Sequence, residues 1–463
     1  MDSFTVERLD AGLQAGEFSS REIVTQAIAR IGETDATLQA WVTLAPDRAL
    51  AEADAADTRR AAGRRIGPLD GIPYACKDLI DTADVETTSS SKVLRHNVPS
   101  RDATVVQRLR AAGAVMLGKT NTHEFAFGIL SPPTRNPWDA ATARTPGGSS
   151  GGTAAAIAAQ QVPFGLGTDT GGSIRIPAAL CGITGLKATM GRVPKDGVAV
   201  LTWSMDHVGP MCWTAADAAL VLNALAGHSD LDATTARKPV PDYAATLGRP
   251  IAGLRVGVAV GYFTTHYPDI AAAFDEAVAV LRQLGAATSE VRMPLSLDLT
   301  QETGAGLNAE ASAWHGARLR RQADDYQPDV RGWLKQGELV LATDYINARR
   351  NRTRIGADMR DLFNEHRLDV LVTPTVPTTA AAFEQEEFVA PDGFREPVMV
   401  ASLRGTWPFN LTGQPALTVP CGFDDQGLPV GLQIAGRPWD EAQVLRVGHQ
   451  FQLTTDWHRR RPA

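Results

Sequence analysis

The chain has 463 residues, 44% of them apolar and 21% charged, with a formal net charge of −7; this allows a large buried core, in two or three domains or around one broad sheet. Its cations are scattered, with Arg59–Arg60 and Arg459–Arg461 as short basic runs, which argues against a nucleic-acid-binding surface. No stretch approaches the roughly 18 uncharged apolar residues that cross a bilayer, and the first residues lack a basic and then apolar leader pattern, so a soluble cytoplasmic protein is expected.

Helical signals come first. Ser19 and Glu22 stand at capping-box spacing ahead of Ile23, Ile28 and Ile31. An Ala-rich amphipathic pattern over about 37–63 predicts a further helix, giving an N-terminal helical segment of about 1–65. The run Pro68-Leu69-Asp70-Gly71-Ile72-Pro73 breaks that pattern and leads into an apolar segment around Lys77. A helix over Ala103–Ala112 and a strand over Ala114–Leu117 follow. Gly, Ser and Thr then crowd Gly147–Thr153 and Gly165–Ser173, with an Ala-rich helix, Ala154–Gln160, between them. So many glycines imply tight turns and backbone held close to something else.

Residues 251–260 alternate like a strand, Ile270–Leu284 reads as a helix, and about 305–365 is helical and highly charged. A helical insertion of about 265–365 packed on the core is therefore expected. Asp369–Pro374, Leu417–Pro420 and Pro429–Ile434 read as strands, and about 441–453 as the last helix. Alternating strands and helices predict an α/β fold with a large mixed, mostly parallel sheet covered by helices on both faces. Cys76, Cys181, Cys212 and Cys421 show no CxxC spacing and read as buried thiols in a reducing compartment.

Candidate chemistry concentrates in the glycine-rich part. Gly147-Gly148-Ser149-Ser150-Gly151-Gly152 formally satisfies GxSxG, but Ala141–Pro146 before it is not the buried strand a nucleophile elbow needs. Without a GK[ST] ending it is not a Walker loop either, and a plain Gly/Ser turn remains open. In Gly167–Arg175 a serine, Ser173, follows two glycines. The backbone N–H groups of Thr170, Gly171, Gly172 and Ser173 are placed to converge on an oxyanion. That serine needs a base. The nine histidines show no HxH or HExxH pairing, so no metal site is expected, and Asp206-His207 has only adjacency to recommend it. Lys77, in a mostly apolar segment, is the other candidate, since burial lowers a lysine's pKa toward neutrality.

Together these residues resemble the amidase-signature family. The resemblance rests on Asp70-Gly71-Ile72-Pro73 with Lys77-Asp78, on Gly147–Gly152 and Gly167–Arg175, and on Pro177-Ala178, Cys181-Gly182 and Gly185-Leu186-Lys187. Asn410, Gly413, Pro415 and Pro420 add to it, as does the closing region with Thr455, Trp457 and His458. It covers essentially the whole chain as a single domain, 1–463. It implies a Ser–cisSer–Lys triad, with Ser173 as nucleophile, Ser149 as bridging serine after a cis Gly148–Ser149 bond, and Lys77 as base. It also implies an oxyanion hole from Thr170 to Ser173 and no cofactor. By family position, His123, Phe125 and Phe127 lie by the substrate.

Within the family the overall pattern is similar to that of the glutamine-hydrolysing A subunit of a tRNA-dependent amidotransferase. Arg352 matches the arginine that this subunit uses for the substrate carboxylate. The aspartate it carries seven residues before the Asn of Asn-Leu-Ala-Gly is replaced here by Leu403, ahead of Asn410-Leu411-Thr412-Gly413. The same stretch supplies Trp407 and Phe409. A stand-alone hydrolase of small apolar or aryl amides is therefore expected, with esters, anilides or carbamates as further substrates. The alternatives are the glutamine-hydrolysing amidotransferase component and a non-catalytic binding paralogue. The expected partner is a small-molecule amide, with no nucleic acid and no membrane; a homodimer is among the expected assemblies.

Overall fold

A computed structural model describes residues 4–139 and 141–462. Thirteen strands occur among them: β1 (Trp41–Leu44), β2 (Pro73–Lys77), β3 (Val115–Thr120), β4 (Phe164–Asp169), β5 (Thr184–Lys187), β6 (His207–Cys212), β7 (Arg255–Val260), β8 (Ala287–Arg292), β9 (Val370–Pro374), β10 (Glu387–Val389), β11 (Arg395–Pro397), β12 (Ala416–Phe423) and β13 (Pro429–Gly436). Eleven of them form one sheet in the order β1-β3-β2-β4-β6-β5-β12-β13-β9-β7-β8, and β10 and β11 form a separate hairpin.

The sheet is mixed, as expected, but parallel pairing is confined to its flanks. β3, β2 and β4 run parallel on one side and β9, β7 and β8 on the other. Between them the neighbours from β4 through β6, β5, β12 and β13 to β9 are antiparallel, as is the edge pair β1–β3. The expectation of mostly parallel strands thus holds only for the two blocks, because the hairpin β12–β13 and the return strand β6 reverse direction at the centre.

Helices cover both faces. Along β2, Tyr74 and Cys76 enter one apolar cluster, shared with the helices Ala215–Leu225, Pro268–Gln283 and Glu441–Thr454. Ala75 enters the other, shared with the helices Ser20–Leu38, Pro46–Ala61 and Gly151–Ala158. This is the period-two alternation of a strand buried on both sides.

Several segments differ from expectation for local reasons. The capping box at Ser19 and Glu22 is formed, but the helix expected over 37–63 is interrupted by β1. Gln39 takes a left-handed conformation that ends the helix Ser20–Leu38, and Pro46 starts the next. The segment expected as a helical insertion contains helices and also β8, a mostly exposed edge strand without an apolar alternation to announce it. β4 hides among glycines. A side chain at Gly165 would press on Thr153 and Ala75, so close packing outweighs glycine's low strand preference. The four cysteines are free and buried, and no helix among the described residues is long and apolar enough to cross a membrane.

Candidate active site

The register of the parallel pair β2–β4 sets Cys76 opposite Leu166, so Lys77 ends β2 beside the last residues of β4. Sites in such sheets gather at the carboxyl ends of parallel strands. Lys77 is fully buried, and its Nζ donates to Ser149 Oγ at 2.7 Å and to Thr168 Oγ1 at 2.8 Å. Burial pushes its pKa well below the usual lysine range; the carboxylates of Asp169 and Asp206 pull in the opposite direction without prevailing. Burial of this kind favours the neutral form of a lysine, the form that can accept a proton.

Ser149 follows a cis Gly148–Ser149 peptide and stands just ahead of the helix Gly151–Ala158. Its carbonyl accepts from Ser131 Oγ at 3.0 Å and from the His123 N–H at 3.2 Å. The next residue joins this turn to the second glycine-rich segment. The Ser150 N–H donates to the Ser173 carbonyl at 3.2 Å, and Ser150 Oγ exchanges hydrogen bonds with the backbone of Thr168. Ser149 and Ser173, 24 residues apart in sequence, therefore lie on adjoining turns.

Ser173 lines a cavity of about 350 Å³ together with Thr170 and Gly171. Among the described residues, no acceptor is hydrogen-bonded to the backbone N–H groups of Thr170, Gly171, Gly172 or Ser173. Four free donors on one buried turn beside a serine suit a developing oxyanion. Gly172 has φ +139°, and a Cβ there would collide with the hydroxyl of Thr406, which itself donates to the Gly171 carbonyl at 2.6 Å.

A buried network, absent from the sequence-derived candidates, fixes this turn. Asp169 pairs with Arg175 through Nε at 3.0 Å and Nη2 at 2.9 Å, and accepts from Asn410 Nδ2 at 2.8 Å. Burial opposes the Asp169 charge, but the Arg175 guanidinium outweighs it and holds the carboxyl below the usual carboxylate range. A charged pair flanking the glycines was the available signal; its role as a clamp needed the distant Asn410. Asp206-His207 does not form a dyad with a serine. His207 Nδ1 faces the Asp169 carbonyl at 3.1 Å, and burial lowers the imidazole's pKa well below its usual value.

The six side chains expected at the substrate separate into two groups. Phe127 and Trp407 line the cavity, where they join Leu403, Trp333, Leu307 and Met399. His123, Phe125, Arg352 and Phe409 lie outside it. His123 Nε2 pairs with Asp329 at 3.1 Å, and Phe125 packs edge-on against His315, 4.4 Å between ring centroids. Phe409 is fully buried and stacks on Phe263. Arg352 donates to the Leu411 carbonyl at 2.8 Å and to Ser204 Oγ at 3.0 Å, which turns its guanidinium to structural acceptors. Family position could place these residues near the cleft, but which way each faces depends on its partners. Among the described residues no group of three or more His, Cys, Asp or Glu side chains is placed to hold a metal.

The chain belongs to the amidase-signature family: the family model described as Amidase matches residues 22–445. It is accordingly an amidohydrolase-family enzyme that acts on carbon–nitrogen bonds. It is 44% identical to the A subunit of the glutamyl-tRNA(Gln) amidotransferase of Chloroflexus aggregans, over 99% of this chain and 98% of that protein. It is 42% identical to an amidase of Pseudomonas putida, over 99% and 97%. A solved inhibitor-bound complex, described as a vestigial protein complex that reveals the origins of an s-triazine catabolic enzyme, superposes with a TM-score of 0.92 at 36% identity, covering 97% of this chain and 98% of that one.

Proposed function

We propose that the enzyme hydrolyses small amides with an apolar or aryl acyl group through an acyl-enzyme on Ser173. The observation that carries the chemistry is the buried Lys77 Nζ donating to Ser149 Oγ, on a turn tied to that of Ser173. In this reading neutral Lys77 takes the Ser149 proton as Ser149 takes that of Ser173, and Ser173 Oγ attacks the carbonyl carbon. The oxyanion forms against the free N–H groups of Thr170 to Ser173. Collapse of the tetrahedral adduct breaks the C–N bond, and the proton returns through Ser149 to the leaving amine. Water then repeats the sequence on the ester. Esters, anilides and carbamates share the acyl-transfer step and are secondary candidates.

The acyl-group assignment rests on the apolar side chains of the cavity wall, Leu403, Trp407, Trp333 and Phe127; the cation that also lines it, Arg404, is paired with Glu396 at 2.9 Å. A second reading, the glutamine-hydrolysing component of an amidotransferase, has the stronger support from the comparisons, through the 44% identity over 99% of the chain. Against it, Leu403 stands in the wall where the pattern of that component has an aspartate, and Arg352 is engaged by Leu411 and Ser204. A non-catalytic paralogue is disfavoured because Lys77, Ser149 and Ser173 are all present.

The test is a screen of aryl amides, esters, carbamates and glutamine with wild type and Ser173→Ala. Turnover of apolar amides, abolished in the variant, is expected. Activity retained by Ser173→Ala would overturn the nucleophile, and turnover of glutamine alone would establish the second reading.

A further inference from the structure

Two buried carboxylates anchor the donor-bearing turn. At Asp169 the anchor is the Arg175 pair already described. At Thr170 it is Asp206, on the segment before β6 and 36 residues away in sequence. Thr170 Oγ1 donates to Asp206 Oδ1 at 2.6 Å. The same carboxylate accepts the Leu201 N–H at 3.0 Å, and the Thr202 N–H at 3.0 and 3.1 Å on its two oxygens. Its oxygens are thus occupied by protein donors, which leaves it poorly placed to bind a ligand or act as a base.

Asp206 therefore joins three pieces of the site. Thr170 carries one of the four free N–H groups, Leu201 lines the same cavity as Ser173, and Thr168, two residues before Thr170, holds Lys77 Nζ. Thr168, Thr170, Asp206 and Leu201 also share the wall of an adjoining cavity of about 220 Å³. A donor aimed at a developing charge helps only if it is held in place beforehand, and a hydroxyl locked to a buried carboxylate supplies that restraint.

We propose that Asp206 is a positioning residue for the reaction: through the Thr170 hydroxyl it fixes the first donor of the oxyanion turn and ties that turn to the Leu201 side of the substrate cavity. The inference rests on Ser173 being the nucleophile, and is independent of which amide is the substrate.

Charge enters as well. The amino groups facing Asp206 are those of Lys195 and, across the turn, Lys77. Asp169 and the buried His207 flank it, and Asp196 and Asp232 share its cavity wall. Burial raises the Asp206 pKa to about 6, against the hydrogen bond from Thr170, the backbone N–H groups of Thr202 and Leu201, and the charge of Lys195. Its negative charge favours the protonated form of Lys77. Replacing it with a neutral group lowers the Lys77 pKa further, so the acid limb of the pH–rate profile moves to lower pH.

The experiment compares wild type, Thr170→Val, Thr170→Ser and Asp206→Asn on whichever amide the screen finds, with Ser173→Ala as control. Thr170→Val is expected to lower kcat by roughly 10–10²-fold with KM within about threefold, the pattern of a donor felt mainly in the transition state. Thr170→Ser restores most of that loss, because it keeps the hydroxyl. Asp206→Asn lowers kcat and shifts the acid limb down, and by more than Thr170→Val, which removes one hydrogen bond from the carboxylate but not its charge. Wild-type kcat in Thr170→Val, or a Thr170→Ser no better than Thr170→Val, would overturn the proposal. If Asp206→Asn does not fold, the two Thr170 variants still decide. Activity in Ser173→Ala would instead overturn the nucleophile assignment, so the two failures are separable.

Discussion

Replacing Asp169 with alanine is expected to destabilise the protein by about 3–5 kcal/mol, the usual cost of removing one partner of a buried ion pair. Neither side chain of the Asp169–Arg175 pair is exposed. Without the carboxylate, the Arg175 guanidinium stays buried among the Thr406 carbonyl, Gln433 Oε1 and Asn410 Oδ1, which are neutral acceptors. The Ile174 N–H and Asn410 Nδ2 each lose an acceptor too. An unfolding entropy of about 2.1 cal/mol/K per residue gives about 1 kcal/mol/K for 463 residues, so Tm falls by about 3–5 °C. Differential scanning calorimetry and urea unfolding read this directly. A Tm within 1 °C of wild type with an unchanged urea midpoint would refute the clamp. The pH dependence has a definite sign. Because the folded carboxyl is held below the usual range, its stabilisation is complete above the unfolded value near 4 and is lost as pH falls below it. Alanine flattens the stability curve in that acid window, and an equally steep acid limb in the variant would contradict the assignment.

Gly172→Ala is expected to reduce kcat by at least about 10²-fold, since the added Cβ meets the Thr406 hydroxyl and displaces the donor turn; near-normal turnover would count against it. Phe125→Ala should cost about 3–5 kcal/mol of stability in urea unfolding with KM nearly unchanged, whereas Phe127→Ala should raise KM, because only the latter lines the cavity. Leu403→Asp should lower kcat/KM for apolar amides by about 10–10²-fold, the loss of about 1.5–3 kcal/mol of apolar burial; an unchanged value would remove Leu403 from the specificity wall. With Lys77 as the base proposed above, activity should rise with pH as its proton leaves, and an optimum below about pH 6 would exclude that role.

Local chemistry made much of this protein legible in sequence. The capping box at Ser19, the strands at 115, 370, 416 and 429, and the glycine-rich turns at 147–152 and 167–173 depend on neighbours close in the chain. Lys77 stood out because its segment is apolar, and its burial follows from that. Where the sequence misled, the deciding contacts were distant. β1 exists because it pairs with β3, β8 because β7 offers it an edge, and β4 because Ala75 and Thr153 need glycine beside them. The facing of Arg352, His123, Phe125 and Phe409 was set by Leu411, Asp329, His315 and Phe263, all remote in sequence. The sequence by itself determined the kinds of residue available for chemistry and the turns that carry them. Only the tertiary structure decided which of them meet, because hydrogen bonds such as Thr170 to Asp206 and Asn410 to Asp169 close loops that no local pattern encodes.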